Sequence, residues 1–208
     1  MEENICIFGD SIAFGVEDPR NGGWVFSLKK DFEVHNENKY VNVYNLGVDA
    51  DTSKDVLERF EVEAKARDTT TAIIAIGIND TVYRGEKNNT DITSNEFQDN
   101  IEALIQKSKE ITNNIVFIGL TKVDDQKVQP IPWSTTGKSY SNEVIQKFDD
   151  ILELVCEKND VPYVEMFSLL NTTEDLYDGI HPNTKGHQKM YEHIRDFFTE
   201  NKLIKTND

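Results

Sequence analysis

Apolar residues in this chain fall into short runs and helical stripes that alternate along its length. Residues 5–8 read Ile-Cys-Ile-Phe and stop at Gly9. A run without polar interruption suits a strand buried on both faces. Residues 40–46, 72–76, 115–120 and 161–167 are four more strand candidates. Gly77 closes the third strand, and Pro162 suits a strand start or a sheet edge. Between these runs the apolar positions recur at helical spacing. Trp24, Val25 and Leu28 begin one stripe, and Val56, Leu57 and Phe60 mark a second. Phe97, Ile101, Leu104 and Ile105 form a third, Val144, Phe148, Leu152 and Val155 a fourth, and Met190, Tyr191, Ile194 and Phe198 a fifth. Each stripe predicts a helix with one face in the core. Thr52 and Asp55 have the spacing of a capping box for the second helix.

Strands that alternate with helices predict a parallel sheet covered on both faces. The expected fold is α/β: a three-layer α/β/α sandwich with a flavodoxin-like sheet of about five strands in the order 2-1-3-4-5. No repeat or low-complexity linker divides residues 1–208, so one domain is expected. Two connections, the polar 81–95 and 121–141 with Pro130, Pro132, Trp133 and Gly137, are long for simple connectors and suggest functional loops.

Composition narrows the partners. Acidic residues outnumber basic ones 38 to 22, for a formal charge of −16. Nucleic-acid binding needs a concentrated basic face, so nucleic acid is excluded as an expected partner. Attraction to an anionic membrane is disfavoured for the same reason. No apolar stretch approaches the roughly 18 residues of a membrane span. The first residues show neither a basic region nor an apolar leader, which predicts a cytoplasmic protein. Cys6 and Cys156 lie in apolar patterns far apart and are expected to be buried thiols, not a disulfide.

Four places carry chemistry. Gly9-Asp10-Ser11-Ile12 follows the first strand, where a serine would sit at the carboxyl end of an open sheet. Asp10 or Ser11 could equally be a plain helix cap. Asp178-Gly179-Ile180-His181-Pro182 precedes the last helix. A carboxylate there can hold one imidazole nitrogen and leave the other free to take a hydroxyl proton; a surface turn with an incidental histidine is the alternative. Gly77-Ile78-Asn79-Asp80 follows the third strand. The Asn79 amide can donate to an oxyanion or simply form an Asx-turn. The loop from Asn45 to Thr52 can point backbone N–H groups at an anion. With the strand order above, all four meet on one rim.

Together these blocks resemble the SGNH hydrolases, also called the GDSL lipase/esterase family. Residues 9–12 look like its first block, with Ile12 in place of the usual Leu. Residues 77–80 match its third block, Gly-x-Asn-Asp, and residues 178–182 match its fifth, Asp-x-x-His-Pro. The second block departs: Ala50 takes the place of a glycine whose N–H joins the oxyanion hole. An alanine keeps the N–H but is strained if the position needs a positive φ.

The resemblance implies a serine ester hydrolase. Ser11 would be the nucleophile, His181 the base and Asp178 its partner. The oxyanion would be held by the N–H groups of Ser11 and Ala50 and by the Asn79 amide, with Gly47 a weaker candidate. No cofactor or metal is implied. The expected substrate is a small ester with a short acyl group: a carbohydrate acetyl ester, or a lysophospholipase- or thioesterase-like substrate. Asp10, Tyr83, Arg84 and Trp133 are candidate substrate contacts. His35, His187 and His193 lack a motif partner and are expected to be structural or surface residues. Two other readings exist. Asp10, Asp80, Asp178 and His181 could hold a cation for phosphoester hydrolysis, or the fold could serve as a non-catalytic binding module. Oligomeric state is not readable from the pattern.

Overall fold

The computed structural model describes residues 2–35 and 40–203. Five parallel strands form the centre: β1 (Glu2–Gly9), β3 (Tyr40–Gly47), β4 (Thr71–Ala75), β6 (Ile115–Ile118) and β8 (Tyr163–Val164). Their spatial order is β3-β1-β4-β6-β8, which is the expected 2-1-3-4-5. The pattern missed one edge strand, β2 (Val34–His35), which pairs antiparallel with β3. Two residues are too few to leave a periodic signal.

β1 is hydrogen-bonded on both sides, and Ile5, Cys6, Ile7 and Phe8 are buried. That is why its apolar run does not alternate. The last strand is shorter than the 161–167 expected from its apolar pattern. It pairs with β6 alone, and beyond Val164 the chain turns inward to bury Met166. Burial without a ladder looks the same in a hydropathy pattern as burial within one.

The helices cover both faces. α2 (Gly23–Phe32) packs against α6 (Thr184–Glu200), while α3 (Ser53–Lys65), α4 (Ser94–Lys109) and α5 (Asn142–Lys158) lie in series. Between β1 and α2 runs one short helix, α1 (Ser11–Phe14). The Thr52–Asp55 capping box is present at the start of α3. Cys6 and Cys156 are free and buried, and burial pushes both thiols up, Cys156 to about 12.

The two long connections meet each other. β5 (Tyr83–Arg84) and β7 (Lys138–Ser139) pair antiparallel, with Tyr83 opposite Ser139 and Arg84 opposite Lys138. This small second sheet fastens the segment after β4 to the end of the 121–141 connection. Among the described residues no helix is long and apolar enough to cross a membrane.

Candidate active site

The site lies at the carboxyl ends of β1, β3 and β4. β1 ends at Gly9, whose missing Cβ lets the strand lie against the Ala75 carbonyl and the Ala13 side chain. Asp10 then leaves the strand in an extended conformation and caps α1, accepting from the Ile12 N–H at 2.9 Å. The capping alternative for Asp10 is therefore real, and it does not compete with a reactive serine. It places Ser11 at the first helical position, whose N–H has no intrahelical acceptor.

Ser11 Oγ lies 2.9 Å from His181 Nε2. His181 Nδ1 lies 2.7 Å from Asp178 Oδ2, and Asp178 Oδ1 accepts from the backbone N–H groups of Ile180 and His181 at 2.9 and 2.8 Å. Burial pushes the Asp178 carboxyl up, but the bonds from His181 and Ile180 outweigh it and hold it below the ordinary carboxylate range. Burial works against a charged His181, yet the Asp178 bond and charge, with smaller contributions from Asp10 and Asp49, raise it above the ordinary imidazole value. Pro182 stands immediately before the cap of the last helix. Asn183 is its cap, accepting from Lys185 and Gly186 N–H, and α6 starts at Thr184.

The second and third blocks sit beside Ser11. The turn from Val48 to Asp51 closes through Asp51 N–H to the Val48 carbonyl at 3.2 Å. Ala50, its third residue, has φ +64°. The position lies in the left-handed region, and alanine occupies it under strain. The Gly47 N–H, by contrast, is taken by the Asn45 side chain at 2.9 Å, so Gly47 has no donor to offer. Gly47 serves packing: a Cβ there would collide with the Phe14 N and the Asp10 carbonyl.

Asn79 opens a short 3₁₀ turn after β4. Its Nδ2 donates to the Asp51 carbonyl at 2.9 Å, and its Oδ1 accepts from the Tyr140 hydroxyl at 2.8 Å. One amide proton remains for another acceptor. Its neighbour Asp80 points the other way. It is buried and accepts from the Ser53 N–H at 2.9 Å and from the Ser53 hydroxyl, which itself accepts from Asn100. Burial pushes Asp80 up to about 7, with Asp10 nearby adding to the rise. Asp10 is also pushed up to about 7 by burial.

Arg59 was not among the sequence candidates. It donates to the carbonyls of Leu46 and Gly9 at 2.8 and 3.1 Å and to Asp51 Oδ2 at 2.8 Å, tying β3, β1 and the Ala50 turn together. Tyr140 was also missed. Its only trace in the sequence is an aromatic residue near the end of a long connection.

The four expected substrate contacts part ways. Asp10 and Tyr83 are both buried, Asp10 as a cap and Tyr83 in the small sheet. Arg84 pairs with Asp91 at the surface. Trp133 is 58% exposed on the 121–141 connection. Phe14, Val48 and Tyr177 are also exposed, on the three segments that carry Ser11, Ala50 and Asp178. The Asp10, Asp80, Asp178 and His181 quartet of the cation reading is divided among separate partners, and among the described residues no cluster of three or more such donors is arranged for a metal. His187 is buried with Nε2 3.2 Å from the Val16 carbonyl, and His193 Nε2 lies 2.9 Å from the Glu165 carbonyl.

The sequence model of the GDSL-like lipase/acylhydrolase family matches residues 7–189. The chain belongs to that family. It is a carboxylic ester hydrolase by that membership, and its blocks at Ser11, Asn79 and His181 all fall within the matched range. A protein of Bacillus subtilis strain 168 named YpmR, itself uncharacterised, is 24% identical over 92% of this chain and 81% of its own length. Among solved structures, a lipase/acylhydrolase from Enterococcus faecalis superimposes with a TM-score of 0.76 over 99% of both chains, at 21% identity. The acetylxylan esterase Axe2 from Geobacillus stearothermophilus gives 0.72 over 99% of this chain and 97% of its own, at 16% identity. Both share the α/β/α fold of this chain.

Proposed function

We propose that residues 1–208 act as one catalytic domain that hydrolyses small esters through an acyl-enzyme on Ser11. The observation that carries this reading is the unbroken chain of contacts from Ser11 Oγ to His181 Nε2 at 2.9 Å and from His181 Nδ1 to Asp178 at 2.7 Å. His181 takes the Ser11 proton as Oγ attacks the ester carbonyl carbon. The carbonyl oxygen becomes an oxyanion, held by the N–H groups of Ser11 and Ala50 and by the second Asn79 amide proton. Collapse breaks the bond to the alcohol oxygen, and His181 returns the proton to the departing alcohol. Water then attacks the acyl-serine, with His181 again as base, and releases the carboxylic acid. Asp178 holds His181 in the tautomer that leaves Nε2 free and stabilises the imidazolium.

The substrate we favour is a short acyl ester of a neutral alcohol, in the manner of a carbohydrate acetyl ester. Asp49 and Asp178 add negative charge around the site and oppose polyanionic substrates. The exposed rings of Phe14, Tyr177 and Trp133 are separate apolar surfaces of the kind that stack on a sugar or a small acyl group. The similarity to an acetylxylan esterase supports the same choice.

The test is turnover of p-nitrophenyl esters graded from acetyl to palmitoyl, beside acetylated oligosaccharides. Rates should peak at C2 to C4 acyl groups and disappear in Ser11→Ala with the fold intact. Undiminished turnover by Ser11→Ala would end the reading; a peak at long chains would end the substrate choice.

A further inference from the structure

We propose that Tyr140 is a positioning residue for the oxyanion donor Asn79, delivered to the site by the long 121–141 connection. This inference rests on the ester-hydrolase reading above. Asn79 follows a strand end on a short 3₁₀ turn, where a side-chain amide has freedom to rotate. Two bonds remove that freedom. The Asp51 carbonyl, which can only accept, takes one Nδ2 proton at 2.9 Å, and the Tyr140 hydroxyl binds Oδ1 at 2.8 Å. With both made, the second Nδ2 proton has one direction left to point. A carbonyl that accepts a hydrogen bond also polarises its amide and strengthens the N–H as a donor.

The fold holds Tyr140 for this purpose. Its side chain is buried, its N–H donates to the Val128 carbonyl at 3.1 Å, and Ser139 just before it pairs with Tyr83. The small sheet thus fastens Tyr140 to the segment that carries Asn79. Burial, with the nearby charges of Asp10 and Asp178, raises the phenol above its ordinary value. The hydroxyl stays protonated and is a constant donor. The connection is anchored by buried Val123, Val128 and Ile131 while Trp133 stands out into solvent, and the tyrosine near its end is where it reaches Asn79.

Tyr140→Phe removes the hydroxyl and keeps the ring, so no cavity opens. Loss of one neutral hydrogen bond should lower kcat for p-nitrophenyl acetate by roughly 3- to 10-fold with KM little changed. Asn79→Ala alone should lower kcat by roughly 100- to 1000-fold. The decisive comparison is the double variant. If Tyr140 acts through Asn79, adding Tyr140→Phe to Asn79→Ala should cost nothing more. A Tyr140→Phe enzyme equal to wild type, or an equal loss in both backgrounds, would overturn the inference. The second-order rate of Ser11 with an organophosphorus probe should follow the same pattern and gives an independent reading. Ser11→Ala run in parallel separates the two levels. If it keeps turnover, the ester-hydrolase reading fails and takes this inference with it. If it is inactive while Tyr140→Phe is unimpaired, only the role of Tyr140 falls.

Discussion

Ala50 is the residue at which a single methyl group should cost measurable stability. It sits at φ +64° in the turn from Val48 to Asp51, closed by the Asp51 N–H. A left-handed conformation costs an L-residue about 1–2 kcal/mol, because its Cβ crowds the following carbonyl oxygen. Ala50→Gly relieves this. The substitution also loosens the unfolded chain, which takes back about 0.4–1 kcal/mol. The net gain is roughly 0.5–1 kcal/mol. For a chain of 208 residues that corresponds to a rise in Tm of roughly 1–4 °C. Ala50 is exposed, so no core contact is lost to offset the gain. The measurement is a reversible thermal melt followed by circular dichroism, with kcat determined on the same preparation. Glycine keeps the backbone N–H, so kcat should stay within about threefold. Ala50→Val is the matched control and should lower Tm, since a β-branched residue tolerates a positive φ less well than alanine. A lower Tm for Ala50→Gly would refute the strain argument. An unchanged Tm with a large fall in kcat would show that the alanine methyl itself holds the donor in place.

Two further predictions concern charge. Asp178 raises His181 above its ordinary value, so the protonated imidazole is favoured and the neutral base appears only at higher pH. A plot of kcat/KM should therefore rise with pH through a midpoint above the reference value of about 6.5. Asp178→Asn should move that midpoint down and lower kcat by on the order of 10³- to 10⁴-fold; a midpoint that stays put would deny the coupling. Burial raises Asp80 from 3.8 to about 7, so the folded state favours its protonated form. Its contribution to stability is present below the unfolded pKa and is lost as pH rises through the folded one. Asp80→Asn should therefore show a smaller drop in Tm between pH 4 and pH 8 than wild type, and an equal drop would contradict the shift.

Much of the architecture was written locally. The core strands β1 and β4 each contain an uninterrupted apolar run, and the helices carry their stripes, because burial on a regular element imposes a regular spacing. The pairing of His181 with Asp178 was legible too, since three residues of one turn bring them together. So was the place of Ser11, because the residues that follow a buried parallel strand lie at its carboxyl end. The blocks were recognisable one by one, yet nothing in them said which N–H was already spent. Gly47 looked available until the Asn45 side chain was seen to occupy it. Nor did the pattern show that Asp10 is spent on capping α1 or that Tyr83 lies buried in the small sheet.

What the sequence by itself determined is the order of elements, the fold class and the motif positions at which Ser11, Asp178 and His181 stand. These depend on spacing within a segment, where backbone geometry alone relates one residue to the next. The tertiary structure decided the rest. It brought Ser11 Oγ to His181 Nε2, set Tyr140 and Asp51 on either side of Asn79, and ran Arg59 across the ends of β1 and β3. Each of these contacts joins residues far apart in the chain. They form only once the sheet has closed and the helices have packed, so no local pattern carries them.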